Sequence, residues 1–174
     1  MELITDVGTV ARLAKEREDE NWAFRSFLKG VDMEVEEVDA IVHRHCEEVS
    51  AQIDCCACAN CCQDITPVLE PADVSRLAEG LGLTEEACFE RLLEIDEDGD
   101  TIFPGIPCPL LSEKRCSAYA HRPGDCRSYP HLDKEGFVFH LAQAVDNCAI
   151  CPIVFNVFER MKIELWDQPQ RKAT

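Results

Sequence analysis

The sequence predicts an α-rich small α+β protein, with helices around an irregular, proline-rich, cysteine-ligated metal-binding region and little sheet. Apolar residues recur at spacings of three and four on either side of residues 96–131, and inside that stretch five prolines leave no room for long regular elements. Twelve cysteines among 174 residues then offer another source of order.

Taken in order, Val7, Val10, Ala11 and Ala14, followed by Phe24, Phe27 and Leu28, predict a helix over 7–29 interrupted by the charged run KEREDE. Val35, Val38, Val42, Cys46, Val49 and Ile53 predict a second, amphipathic helix whose other face is acidic and solvated. After the first cysteine run, ITPVL has the composition of a short strand. Pro71 suits the first turn of a helix carrying Val74, Leu77 and Ala78, which Gly80 and Gly82 should stop. Thr84 can cap the next helix, with Glu85 and Glu86 at the favourable end of its dipole and Phe89, Leu92 and Leu93 as its stripe, ending near Ile95. Residues 137–141 read as a strand. Pro152 opens a last helix with Val154, Val157, Phe158, Met161 and Leu165 inward. The expected division is a helical extension over 1–53, a cysteine-cluster domain over 54–167 and a polar tail over 168–174.

The formal charge of −17, from 34 acidic against 17 basic residues, argues against nucleic acid and against anionic membrane surfaces, both of which require a basic stripe. Residues 1–20 carry no basic start, apolar segment or small-residue cleavage site, so the expected location is the cytoplasm. Disulfides do not persist in a reducing cytosol, which turns the cysteines towards metal ligation or redox chemistry.

The strongest motif is Cys55, Cys58, Cys61 and Cys62, a C-x-x-C-x-x-C-C run. A two-residue gap lets the backbone turn and aim two sulfurs at one ion, and four-iron clusters use such repeats as well. Adjacent Cys61 and Cys62 do not easily face the same small ion, so one should bridge or serve a second site. Cys56 lies outside the spacing. Cys108, Cys116 and Cys126 fall in the proline-rich stretch, where ligation would supply order. Cys148 and Cys151 form another C-x-x-C before Pro152, where a helix dipole would stabilise thiolate. A lone C-x-x-C is also a redox motif, though no βαβ pattern precedes this one. Cys46 and Cys88 continue apolar helical stripes and read as core. The nine candidate ligands are therefore Cys55, Cys58, Cys61, Cys62, Cys108, Cys116, Cys126, Cys148 and Cys151. Two four-ligand sites, a bridged cluster, or one site beside a reactive thiol all remain open.

Lys114, Arg115, Arg122 and Arg127 lie among the middle cysteines and would offset thiolate charge, or else form ordinary salt bridges. His131 or His140 could stand in for a thiolate. The DEDGD run at 96–100 fails as an EF-hand because its glycine is misplaced and Pro107 occupies the position that needs glutamate.

The C-x-x-C-x-x-C-C run, followed by CPLL, RCSAY and HRPGDCRSYP, resembles the YkgJ-type cysteine-cluster family, associated with zinc or iron chelation, over residues 54–152. The resemblance implies metal binding by Cys55, Cys58, Cys61, Cys62, Cys108, Cys116 and Cys126, completed by Cys148 or Cys151. Asn60 departs from the glycine common before the paired cysteines, and asparagine tolerates the left-handed backbone such a turn needs. The expected cofactor is zinc or iron, including an iron-sulfur cluster. Three functions compete. One is a metal-binding protein whose ion organises the fold. Another is an iron-sulfur enzyme doing electron or group transfer on a protein substrate. The last is an acidic adaptor with structural zinc that binds a protein partner through its N-terminal helices.

Overall fold

The computed structural model describes residues 2–166. The expected tail over 168–174 lies outside them. Helix is the dominant structure and the sheet is confined to two short hairpins, the α-rich architecture that the sequence predicts.

Helix α1 (Val7–Glu16) starts where Asp6 accepts hydrogen bonds from the Thr9 N–H (2.8 Å) and hydroxyl (2.7 Å). The charged run does break the first helix, at Arg17, beyond which α2 (Glu18–Gly30) begins. A capping box between Glu34 and Glu37 opens α3 (Val35–Ser50). Two single turns, α4 (Cys55–Cys58) and α5 (Cys61–Asp64), carry the cysteine run.

Helix α6 (Pro71–Leu81) has proline in its first turn and ends at Gly82, which adopts the left-handed conformation at φ 67°. Gly80, expected to stop it, lies inside it instead. The reason is steric: a Cβ at position 80 would come within 2.6 Å of the His121 Cβ and overlap the imidazole ring. Thr84 caps α7 (Glu85–Leu92), accepting from the Ala87 N–H at 3.2 Å. That helix stops before Ile95, because Glu94–Ile95 (β1) pairs antiparallel with Thr101–Ile102 (β2). The DEDGD segment is the loop of this hairpin, organised by the Asp96 carboxylate, which accepts from the N–H groups of Asp98 (3.0 Å) and Asp100 (2.9 Å). ITPVL forms a single bridge, Val68 to Ile102, instead of a strand. A second hairpin joins β3 (Leu111–Ser112) to β4 (Arg115–Cys116), and α8 (Gly124–Ser128) follows.

Residues 137–141, expected as a strand, form a 3-10 turn (Phe137–Phe139) that runs into α9 (Leu141–Asn147). The Asp39 carboxylate accepts from the N–H groups of Gly136 (2.7 Å) and Phe137 (2.9 Å) and so holds the turn's start. Local alternation of apolar residues does not register such a long-range contact. The last helix, α10 (Pro152–Met161), continues as a π-turn, Lys162–Trp166.

These elements make two compact units, one comprising residues up to Asp54 with those from Pro130 onward, the other Cys55–Tyr129. In the first unit α10 packs on α3, α1 and α9. All five inward residues expected on the last helix are buried, and so are Ile153, Phe155 and Asn156 on its other sides. The apolar stripes of α1, α2 and α3, represented by Val10, Phe24 and Val42, are buried within this unit. Buried charges are paired: Lys162 reaches Glu20 and Glu159, each at 2.7 Å, and Glu159 also pairs with Arg17. The second unit has its own core of Leu69, Leu77, Ala78, Cys88, Leu93, Phe103, Leu110 and Ala118.

Phe158 is buried and meets Phe24 edge to face at 5.1 Å between ring centres. Phe158→Ala is expected to lower unfolding free energy by about 3–5 kcal/mol, read by chemical denaturation. Burial would raise the Glu164 carboxyl, but hydrogen bonds from Arg44 and His45 outweigh it and hold the pKa below the usual value. The stabilisation is present above the unfolded carboxyl pKa and is lost as pH falls through the lower folded one. Glu164→Gln should therefore destabilise the protein at pH 7, and the difference from wild type should shrink as pH falls through the acid range, which melting curves over a pH series would detect.

Candidate metal centre

The cysteine run is shaped by one residue. Between α4 and α5, Ala59 takes the left-handed conformation at φ 52°, whereas Asn60, at φ −68°, is right-handed. The left-handed turn expected at Asn60 therefore falls one residue earlier, at Ala59. The Ala59 N–H bonds back to the Cys55 carbonyl at 2.9 Å, and the methyl group is buried, so a small residue fits where a longer one would not. Left-handed alanine costs roughly 1–2 kcal/mol, which surrounding contacts must offset.

Cys108, Cys116 and Cys126 are delivered by short local devices. Cys108 is tied to the run directly, its N–H donating to the Cys62 carbonyl at 2.8 Å. The Leu111 N–H then bonds the Cys108 carbonyl at 3.0 Å. In the second hairpin Leu111 faces Cys116, across a loop in which Glu113 and Lys114 both have positive φ, the geometry of a tight two-residue turn. Cys126 sits in the middle of α8. Cys108 and Cys116 also pack against the core of this unit.

Cys62, Cys108, Cys116 and Cys126 all lie within range of one another's charge. Burial first, and then Cys108, Cys62, Asp125 and Cys116 in turn, push the Cys126 thiol up to about 12. Burial likewise raises Cys108 and Cys116, and each is raised further by Cys62. Cys62 goes the other way. A hydrogen bond from Cys61 lowers it to about 7 in spite of burial. Arg122 favours the Cys116 thiolate, the charge-offsetting role expected for a cation in this stretch. Arg127 instead pairs with Asp73 at 3.9 Å.

The donor chemistry suits zinc or iron, both of which accept thiolates. The thiols are neighbours without being converged: among the described residues no group of three or more His, Cys, Asp or Glu side chains is arranged to hold one ion. Among the described residues no cysteine is in a disulfide.

The remaining candidates divide between the two units, and Cys61 stays beside Cys62, to which it hydrogen-bonds. Cys55 is exposed, while Cys58 and Cys61 are half-buried. Cys56, set aside on spacing, hydrogen-bonds the Tyr119 phenol and lies in charge range of Cys116. Arg122 stacks on the Tyr119 ring at 3.9 Å and donates to its carbonyl at 2.7 Å. No spacing rule links residue 56 to residue 119. Cys148 and Cys151 belong to the first unit and are buried there, as part of the α9–α10 corner. Cys148 ends α9 and does not benefit from a helix N-terminus: burial pushes its thiol up, against a smaller opposing effect of Lys162. His131 and His140 belong to the first unit too. Cys88 is fully buried, as expected, whereas Cys46 is only half-buried and hydrogen-bonds the Ser50 hydroxyl at 3.7 Å.

Residues 54–152 match the model of the CxxCxxCC family, described as "Putative zinc- or iron-chelating domain". No curated protein and no solved structure matches the chain. Among the described residues no helix is long and apolar enough to cross a membrane.

Cys88→Ala is expected to leave bound metal per chain unchanged while lowering stability by roughly 1 kcal/mol. Elemental analysis and denaturation of the same sample check both halves, and a loss of metal would make Cys88 a ligand.

Proposed function

The chain belongs to the CxxCxxCC family of zinc- or iron-chelating domains, and on that premise we propose that its second unit is a thiolate metal centre whose ion organises the fold. In this reading Cys62, Cys108, Cys116 and Cys126 are the principal ligands of one zinc or iron ion. Cys55, Cys58 and Cys61 extend the centre on its solvent side. Cys148 and Cys151, buried in the first unit, serve packing.

The observation that carries the reading is the mutual influence of four thiols drawn from four places in the chain. Neutral thiols can pack as small apolar groups, as Cys108 and Cys116 do, but packing does not require four of them within range of one another's charge. A cation does, since it makes each thiolate favourable and displaces the protons. With Cys62 near 7 and Cys126 near 12, the metal-free cluster holds far less than four negative charges at neutral pH. Loading then requires the side chains to turn towards a common point and release protons. The bound ion would cross-link α5, the second hairpin and α8, and structural zinc sites contribute roughly 10–16 kcal/mol of apparent binding energy.

Anaerobically purified protein should contain zinc or iron, and acid-labile sulfide in step with iron would identify a cluster. Cys62→Ser and Cys126→Ser should each lower bound metal and the melting temperature. Serine at both Cys58 and Cys61 should lower metal as well. Unchanged metal and unchanged melting in the Cys62 and Cys126 variants would overturn the ligand assignment.

A further inference from the structure

Helix α6 carries no cysteine, yet it grips the segment between Cys116 and Cys126 at two points. The first is Asp73, a carboxylate 5% exposed. Its Oδ2 accepts from the Glu70 N–H at 3.2 Å, closing the capping box of α6. Its Oδ1 accepts from the Gly124 N–H at 2.9 Å, across 51 positions of sequence, and pairs with Arg76. Arg127 lies 3.9 Å from the same oxygen. Cys126 is thus bracketed: the residue two positions before it and the residue after it both reach Asp73 Oδ1. Arg127 also donates to the Arg122 carbonyl at 2.8 Å, which closes the turn that leads into α8.

The second point is Gly80. The missing side chain lets the His121 Cβ and ring lie against the α6 backbone, five residues before Cys126. A capping box needs only a local partner, so an acidic residue at position 73 is accounted for by α6 itself. The capping role does not account for the second oxygen, which, besides pairing with Arg76, accepts from the Gly124 N–H of another segment.

We propose that Asp73 is a positioning residue for the metal centre: together with the Gly80 notch it makes α6 the template that holds Cys126 among the other thiols. The inference rests on the reading of Cys126 as a ligand. Removing the carboxylate releases the N-terminal residue of α8 and leaves Arg76 and Arg127 without their shared acceptor. The α8 turn, only five residues long, has little helical stability of its own to keep the thiol in place.

The test uses the full chain and cobalt(II) as probe, titrated anaerobically against a competing chelator. Affinity and the intensity of thiolate-to-cobalt charge transfer are the readouts, with far-ultraviolet circular dichroism as a check on the helices. Loss of an outer support of this kind weakens metal binding by about 10- to 100-fold. Asp73→Ala should show that loss and a charge-transfer band reduced by about one thiolate in four, the same signature as Cys126→Ser. Asp73→Asn keeps a neutral acceptor for the Gly124 N–H and should fall between wild type and Asp73→Ala. Wild-type affinity and band intensity in Asp73→Ala, with Cys126→Ser still altered, would overturn the positioning role alone. An unaltered spectrum in Cys126→Ser would instead remove the ligand assignment on which it rests. If Asp73→Ala does not fold, Gly80→Ala carries the test. It should weaken cobalt binding, and Gly80→Ala combined with His121→Gly should restore it, since only glycine at 121 clears the Cβ. Wild-type binding by Gly80→Ala, or no recovery in the double variant, would overturn the template.

Discussion

The gathering of Cys62, Cys108, Cys116 and Cys126 in the second unit is the constraint on which the proposed metal centre depends. None of the four shares a regular element with another: they come from α5, the approach to β3, β4 and α8. Each is delivered by a short device, respectively a left-handed alanine, a backbone hydrogen bond to Cys62, a tight hairpin and a turn clasped by Asp73. Three of the thiols are pushed up by burial and by their neighbours while one is pulled down. In the proposed metal centre, that combination would let the metal-free chain avoid accumulating charge while leaving one donor for an incoming cation.

Burial acts on the thiols of the first unit in the same direction. Cys148 is 1% exposed, and burial raises its thiol against the opposing charge of Lys162. There the organising element is α10, buried along nearly its whole circumference, with its few polar groups satisfied internally. Asn156 illustrates this, accepting from the Ile4 N–H at 3.0 Å while donating to the carbonyls of Ile4 (2.8 Å) and Pro152 (2.7 Å). A helix that must bury all its sides needs such partners, since an unmatched buried amide costs about 1–3 kcal/mol.

Acidic residues do more here than set the formal charge of −17. Asp39, Asp73 and Asp96 each accept backbone N–H groups of a loop that has no long element to hold it. Two of the three are buried, and both bridge segments far apart in sequence. In a stretch broken by prolines and glycines, a carboxylate with two oxygens is an effective substitute for a missing ladder of hydrogen bonds.

Residues that act on near neighbours were legible in the sequence. Helical stripes placed α3 and α10, Pro71 and Thr84 marked helix starts, and the repeated two-residue gaps singled out the cysteine run. The low strand content followed from the proline spacing. What the sequence by itself could not decide was anything set by contact across many residues. The strand expected at 137–141 became a turn because Asp39, nearly a hundred positions away, binds its start. Gly80 sits inside a helix because His121 approaches it, and the left-handed turn falls on Ala59, whose methyl group is buried, and not on Asn60. The grouping of four of the nine candidate cysteines belongs to the same class. Spacing tells which thiols can turn towards a common point, but which ones are brought together depends on the core around Leu77 and Phe103 and on one buried carboxylate, and those exist only in the folded chain.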